Sequence, residues 1–389
     1  MRSSSVLLVL CFVAFISLGL PDALLGVAWP SMADEMAVPL DRLGLVMTGG
    51  TLGYMLSSFL SGAVIRVLGI AWMLAISGLL TVTALLLFML VPVWWCYPVV
   101  ALLAGFGGGG IDAGLNTFVE KHYSERVMQW LHASFGVGVT LGPLIMTLSL
   151  SLTGFWRPGY LMVALLVFMM VAAFVRYRSL WRDVEQHQNT AGSERTASLS
   201  ESLKLPIIWL GMLAFCLYTS VEIGVGMWAF TLLTEVREVG LETAGFWVAI
   251  YWGAFTVGRI LAGVWAHSIA DMTMTLWGLV LALIGLGLFA LEIGGEGGTY
   301  ALALIGFGFA PAFPAMISST SKRVPRSHVA NALGMQVSAA GAGMLILPAL
   351  MVVLIGWYGL PIITTTFLCL SGALLVVFAA LLYVGRQTS

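Results

Sequence analysis

The sequence predicts an all-α polytopic membrane protein: twelve transmembrane helices in two six-helix, pseudo-symmetric halves. Three observations carry this. Hydrophobic residues make up 60% of the 389-residue chain and Asp, Glu, Lys and Arg only 9%, against about 25% in a soluble domain. Apolar runs long enough to cross a bilayer as helix, roughly 20 residues, recur twelve times between polar or turn-forming breaks. Shifted by some 200 residues, the chain falls into register with itself. Mean hydropathy is +1.01. Soluble enzymes, disordered proteins and disulfide scaffolds are excluded together. A net charge of −1 without a basic cluster excludes nucleic-acid binding. Cys11, Cys96, Cys216 and Cys369 are scattered through apolar runs with no metal-binding spacing.

The first run, 5–33, exceeds a signal-peptide core and lacks a clean small-residue cleavage site after it, so it counts as span one. Spans two to six follow at 42–65, 70–91, 95–119, 127–153 and 158–177. The longest polar stretch comes next. Its start, "RYRSLWRDVEQHQ", suits an amphipathic surface helix, and its Ser/Thr/Glu-rich end a linker. Spans seven to twelve read as 205–233, 243–267, 272–292, 298–320, 328–355 and 359–384. The domains are therefore an N-terminal half, 1–177, a cytoplasmic linker, 178–204, and a C-terminal half, 205–389.

Basic residues set the orientation. With both termini cytoplasmic, that side holds Arg2, Arg66, Lys121, Arg126, Arg176, Arg178, Arg182, Arg195, Lys204, Lys322, Arg323, Arg326 and Arg386. The other side holds only Arg42, Arg157 and Arg237, and Arg259 stays inside a span. The expected location is a plasma (inner) membrane.

The repeat pairs like-numbered spans. Asp22 with Gly26 falls on Glu222 with Gly226, Gly44 on Gly245, and Gly62 on Gly263. Gly105-Phe106-Gly107 falls on Gly306-Phe307-Gly308, and Pro143 lies near Pro348. Parallel six-span repeats joined by a long linker describe a secondary transporter, with its substrate expected at mid-membrane between the halves.

Three carboxylates and one cation remain inside spans: Asp22, Asp112, Glu222 and Arg259. Charge at the bilayer centre costs at least ~2.5–3.5 kcal/mol on insertion scales, so each is a functional candidate. Asp112 sits in "GFGGGGIDAGLN", with Asn116 one turn later on the same face. The glycines permit close helix approach or local unwinding, and the Asp/Asn pair suits hydroxyl groups. A desolvated carboxylate can bind a proton near neutral pH, which makes Asp22 and Asp112 proton-coupling candidates. A carboxylate bonded permanently to backbone or to Arg259 is the plainer alternative. Glu222 stands between coupling and a salt bridge to Arg259. Arg66, Arg259 and His132 read as structural or gating residues, with a proton relay the second possibility for His132. Most of the 14 Trp residues serve packing and interface anchoring. Trp29, Tyr54, Trp228, Trp252 and Phe313, near the charged depth, are candidates to stack on a sugar ring; Gln336 and Asn331 are polar candidates in span eleven.

Twelve spans in two repeats resemble the major facilitator superfamily. Its signature after span two, G-x-x-x-D-R-x-G, is altered here: "GAVIRVLG" keeps Gly62 and Gly69 but places Arg66 where Asp is expected, and "GVWAHSIA" places His267 there. Within the superfamily, "LGLPDALLGVAWPSM" and "GGGGIDAGLNTFV" resemble the fucose–proton symporters, which carry an acid in span one and an acid-x-x-x-Asn element in span four. That resemblance implies proton coupling and sugar recognition at Asp22, Asp112 and Asn116.

The expected function is proton-coupled symport of a sugar or related neutral solute by alternating access. A proton-driven exporter of drugs or metabolites is the alternative. No enzyme motif occurs: neither HExxH nor GxSxG is found. No cofactor or metal is expected beyond H+ as coupling ion; the expected partners are the small-molecule substrate and the bilayer, with the chain a monomer.

Overall fold

The structure is a computed structural model that describes residues 2–189 and 197–388, without the side chains of residues 2–4, 22, 23, 41, 183, 185–189 and 385–388. Arg195 lies outside the described residues. The helices are α1 (Arg2–Glu35), α2 (Leu43–Leu68), α3 (Ile70–Leu90), α4 (Tyr97–His122), α5 (Glu125–Thr153), α6 (Arg157–Arg176), α7 (Arg178–Asn189) and α8 (Leu199–Ser202). They continue with α9 (Pro206–Glu235), α10 (Leu241–Trp265), α11 (Asp271–Ala290), α12 (Ala301–Phe309), α13 (Ala312–Ser318), α14 (Val329–Tyr358) and α15 (Ile362–Thr388). Among the described residues there are twelve candidate spans, each within a few residues of its sequence position. Helix is the natural outcome, because hydrocarbon offers no partner for an unpaired backbone group.

Span ten departs from a continuous rod. It is two short helices, α12 and α13, parted at Ala310–Pro311. Proline has no N–H to give the preceding turn. Side chains reach the carbonyls at this break: Tyr218 Oη donates to Phe309 at 2.8 Å, Arg259 Nε to Ala310 at 3.4 Å, and Gln129 Nε2 to Pro311 at 3.1 Å.

Two compact units divide the chain. The first holds residues 1–121, 131–202 and 326–338; the second holds 122–130, 203–325 and 339–389. The start of α5 thus belongs to the second unit, and the start of α14 to the first.

Glycines set the helix spacing inside each unit. A methyl at Gly105 of α4 would meet the Gly50 carbonyl of α2, and one at Gly306 of α12 the Tyr251 carbonyl of α10. On the other face, Gly107 lies against Ser77 and Thr81 of α3, as Gly308 lies against Gly278 and Ala282 of α11. Gly138 meets the Ile16 carbonyl, and Gly343 that of Cys216. The repeat seen in the sequence is therefore a repeat of packing.

Two ends of the helices differ in charge. At the basic end, α7 is amphipathic as expected: Trp181 is fully buried, with ring centroids 4.5 Å from Phe118 and 6.0 Å from Phe174, while Arg178 and Arg182 stay exposed. At the opposite end, three arginines each tie down a loop. Arg157 forks onto Glu35 at 2.6 and 2.8 Å. Arg42 lies over Trp94. Arg237 donates to the Gly297 carbonyl at 2.5 Å, pairs with Glu292 at 3.4 Å and covers the Phe289 ring. Burial lowers the Arg237 pKa, with Glu292 opposing.

Candidate functional site

The glycine run of α4 places the first site. Gly105 and Gly109 pass against α2, and Gly107 and Gly110 against α3. Helix periodicity then turns Asp112 and Asn116, four residues apart, onto one face. Asp112 is 6% exposed and Asn116 fully buried. Tyr54 Oη of α2 donates to Asp112 Oδ2. Asn116 Nδ2 donates to Asp112 Oδ1 at 2.9 Å. On the far side of the amide, His132 Nε2 of α5 lies 3.0 Å from Asn116 Oδ1. The His132 ring sits edge-on to Phe15 of α1, centroids 5.2 Å apart. The result is a buried polar chain of four side chains from three helices. Its carboxylate accepts donors at both oxygens.

Asp22 lies in α1; its side chain falls outside the described ones. Its counterpart in the second unit, Glu222 of α9, is buried, with Arg259 Nη2 3.8 Å from Glu222 Oε1. Arg259 also covers the Phe255 ring, centroid 4.2 Å away. Tyr251 Oη donates to the Glu222 backbone carbonyl at 2.6 Å.

The packing repeat shows why the two acids differ. Ser58 Oγ donates to the Gly109 carbonyl at 3.1 Å, and 201 residues on Arg259 Nε donates to that of Ala310. Ser58 therefore occupies in the first repeat the place of Arg259 in the second. By the same offset Phe313 stands where Asp112 does. One repeat carries an acid without the arginine; the other carries an arginine-paired acid and a phenyl ring.

The remaining sequence candidates disperse. Trp29 is 2% exposed and donates its indole N–H to the Leu40 carbonyl at 2.8 Å, at the end of α1. Trp252 lies edge-on to Tyr251 and Phe255, covering Gly226. Phe313 lies edge-on to Phe215, centroids 5.0 Å apart. Trp228 is half-buried, its indole nitrogen enclosed and without a hydrogen bond. Gln336 is buried in the first unit. Asn331 donates to the Ala197 carbonyl at 3.0 Å and Ser202 Oγ at 2.9 Å, and Arg66 Nη1 to the same carbonyl at 2.7 Å. Together they hold the end of the linker, at Ala197 and Ser202.

Sequence reasoning missed a basic-end cluster. Lys322 Nζ bonds Glu125, and Asp271 at 3.1 Å, with Asp271 1% exposed. Burial opposes the Lys322 charge, yet the two carboxylates outweigh it and raise its pKa. Arg323 beside it is pushed down to about 10 by burial, with Asp271 opposing. Loop-end charges carry no periodicity that would reveal such partners.

Twelve spans in two packing repeats, with acids buried at mid-helix, define a transporter-type membrane protein. The family model described as Major Facilitator Superfamily matches residues 8–324. The chain belongs to that superfamily, which comprises transporters and not enzymes. It is 24% identical over 302 residues to "Sodium-dependent glucose transporter 1" of Xenopus laevis, covering 69% of this chain and 59% of that protein. It is 22% identical to "Glucose/mannose transporter GlcP" of Bacillus subtilis, covering 78% and 77%. The chain thus spans less than two thirds of the length of the frog relative. Among solved structures, FucP in the outward conformation matches with a TM-score of 0.77 at 15% identity over 100% of both chains. A bacterial homologue of the iron transporter ferroportin matches with 0.78 at 14%, over 98% and 99%. Such identities show the fold alone.

Proposed function

We propose that the protein is a proton-coupled sugar symporter working by alternating access in a plasma (inner) membrane, with both termini and the basic end cytoplasmic. The observation that carries this reading is Asp112: a buried carboxylate held by Tyr54 and Asn116, in the repeat where Ser58 takes the arginine's place. Its charge is costly at that depth, so a proton or a substrate hydroxyl relieves it. Glu222, beside Arg259, already has its counter-charge and is the weaker coupling candidate. Relatives bearing glucose in their names support the substrate class. Asn116, Tyr54 and Asp112 supply the donors and acceptors a sugar needs.

The frog relative's name includes sodium dependence, so sodium is the second reading for the coupling ion. Proteoliposomes loaded with a sugar panel, under imposed pH or sodium gradients, test both. Uphill uptake driven by the pH gradient, accompanied by internal acidification, supports the proposal. In that assay Asp112→Asn loses uphill accumulation and keeps substrate counterflow. Uptake driven by sodium alone overturns the proton assignment. Extrusion of hydrophobic cations with no sugar flux transfers the site to an exporter.

A further inference from the structure

Asn116 joins two titratable side chains, and an amide is a polarised link. Its NH2 only donates and its oxygen only accepts. While Asp112 is ionised, both its oxygens are acceptors, so the NH2 end of Asn116 must face Oδ1, 2.9 Å away. The amide oxygen then faces His132 Nε2 at 3.0 Å, and that nitrogen must carry hydrogen. Neutral Nε2–H imidazole satisfies this, and so does imidazolium. A protonated Asp112 that donates from Oδ1 reverses the chain: the amide turns over, its NH2 donates to Nε2, and Nε2 must be bare. Imidazolium cannot meet that demand, because both of its nitrogens are donors. A buried unmade hydrogen bond costs about 1–3 kcal/mol.

We infer that His132 and Asp112, linked through Asn116, form a one-proton pair: a proton donated from Asp112 Oδ1 disfavours imidazolium at His132, and imidazolium disfavours a proton on Oδ1. This rests on the reading of Asp112 as the coupling acid and adds a second proton station, toward the basic end. In the transfer, imidazolium with carboxylate becomes neutral imidazole with carboxylic acid. One N–H bond breaks, one O–H bond forms, and the pair stays net neutral. His132 is a positioning residue for Asp112, since it meets the carboxyl only through the amide. Ionisable groups lie along the helices that pack against it. From α4 come Asp112 and, one turn past Asn116, Glu120; from α2 comes Tyr54 through Asp112. From α1 comes the Phe15 edge, with Asp22 two turns further along.

The test is His132→Gln, whose amide can still donate or accept toward Asn116 but holds no charge. Proton-driven uptake and sugar counterflow are measured across pH 5–9 in proteoliposomes, with His132→Asn as a second variant should the first fail to assemble. The expected result is a pH profile of uphill uptake displaced by about one unit when normalised to counterflow of the same variant, a tenfold change in proton affinity. Profiles that coincide with the parent, in whichever variant assembles, overturn the inference and leave His132 as packing. Parent protein that moves no protons with any sugar sinks the underlying reading instead, so the two failures are distinguishable.

Discussion

At the scale of single residues, the two acidic sites differ in what accompanies them. Glu222 and Arg259 are buried together, and Arg259 also reaches the break in span ten. Removing one member of a buried pair leaves an uncompensated charge, at a cost of about 3–5 kcal/mol, whereas removing both can be close to neutral. Arg259→Met is therefore expected to lower the thermal unfolding temperature in detergent more than the double variant Glu222→Gln/Arg259→Met does. Equal losses would show that the two groups are not energetically coupled. Of this pair the sequence revealed the members, because mid-span charges are rare enough to stand out, and a contact between them was one of two open readings. It did not reveal Tyr54 as a donor to Asp112, since one tyrosine among ten bears no mark of its partner.

At the scale of helices, proximity is bought with glycine. Gly105 and Gly306 occupy matching positions in the two repeats, each pressed on a carbonyl of the neighbouring helix. Neither backbone can yield without parting the helices, so Gly105→Ala and Gly306→Ala should both destabilise. Gly105→Ala should also lower transport, because α2 carries Tyr54 to Asp112. Gly287→Ala is the control: nothing lies within 4 Å of its added methyl, and alanine's helix propensity favours it by up to about 1 kcal/mol. Thermal stability of the three variants, read beside counterflow, decides the matter; a control as damaging as Gly105→Ala would refute the packing account. The sequence displayed these glycines in register and suggested close approach. It hid the break at Ala310–Pro311, because hydropathy runs unchanged across it and only the side chains of Tyr218, Arg259 and Gln129 reveal which carbonyls were freed.

At the scale of the whole chain, charge bias carries the orientation. Arg42, Arg157 and Arg237 are the exceptions on the sparse side, and each has a structural occupation: a tryptophan face, a carboxylate fork, a glycine-rich loop. Exceptions so employed do not weaken the bias, since a bound arginine reports its partner as much as the membrane's preference. The unit boundaries, by contrast, were beyond the sequence: composition shifts only at the 178–204 linker, while the units exchange 122–130 and 326–338, which are set by tertiary contact. Orientation yields a direct prediction. In a cysteine-free background, Ser200→Cys lies exposed at the basic end and Glu242→Cys exposed at the other. With the basic end cytoplasmic, a membrane-impermeant maleimide added to intact cells labels Glu242→Cys at once and Ser200→Cys only after permeabilisation. The reverse pattern would place the basic end outside, against the rule that cations near span ends are retained on the cytoplasmic face, and would turn the proposed proton station at His132 toward the exterior.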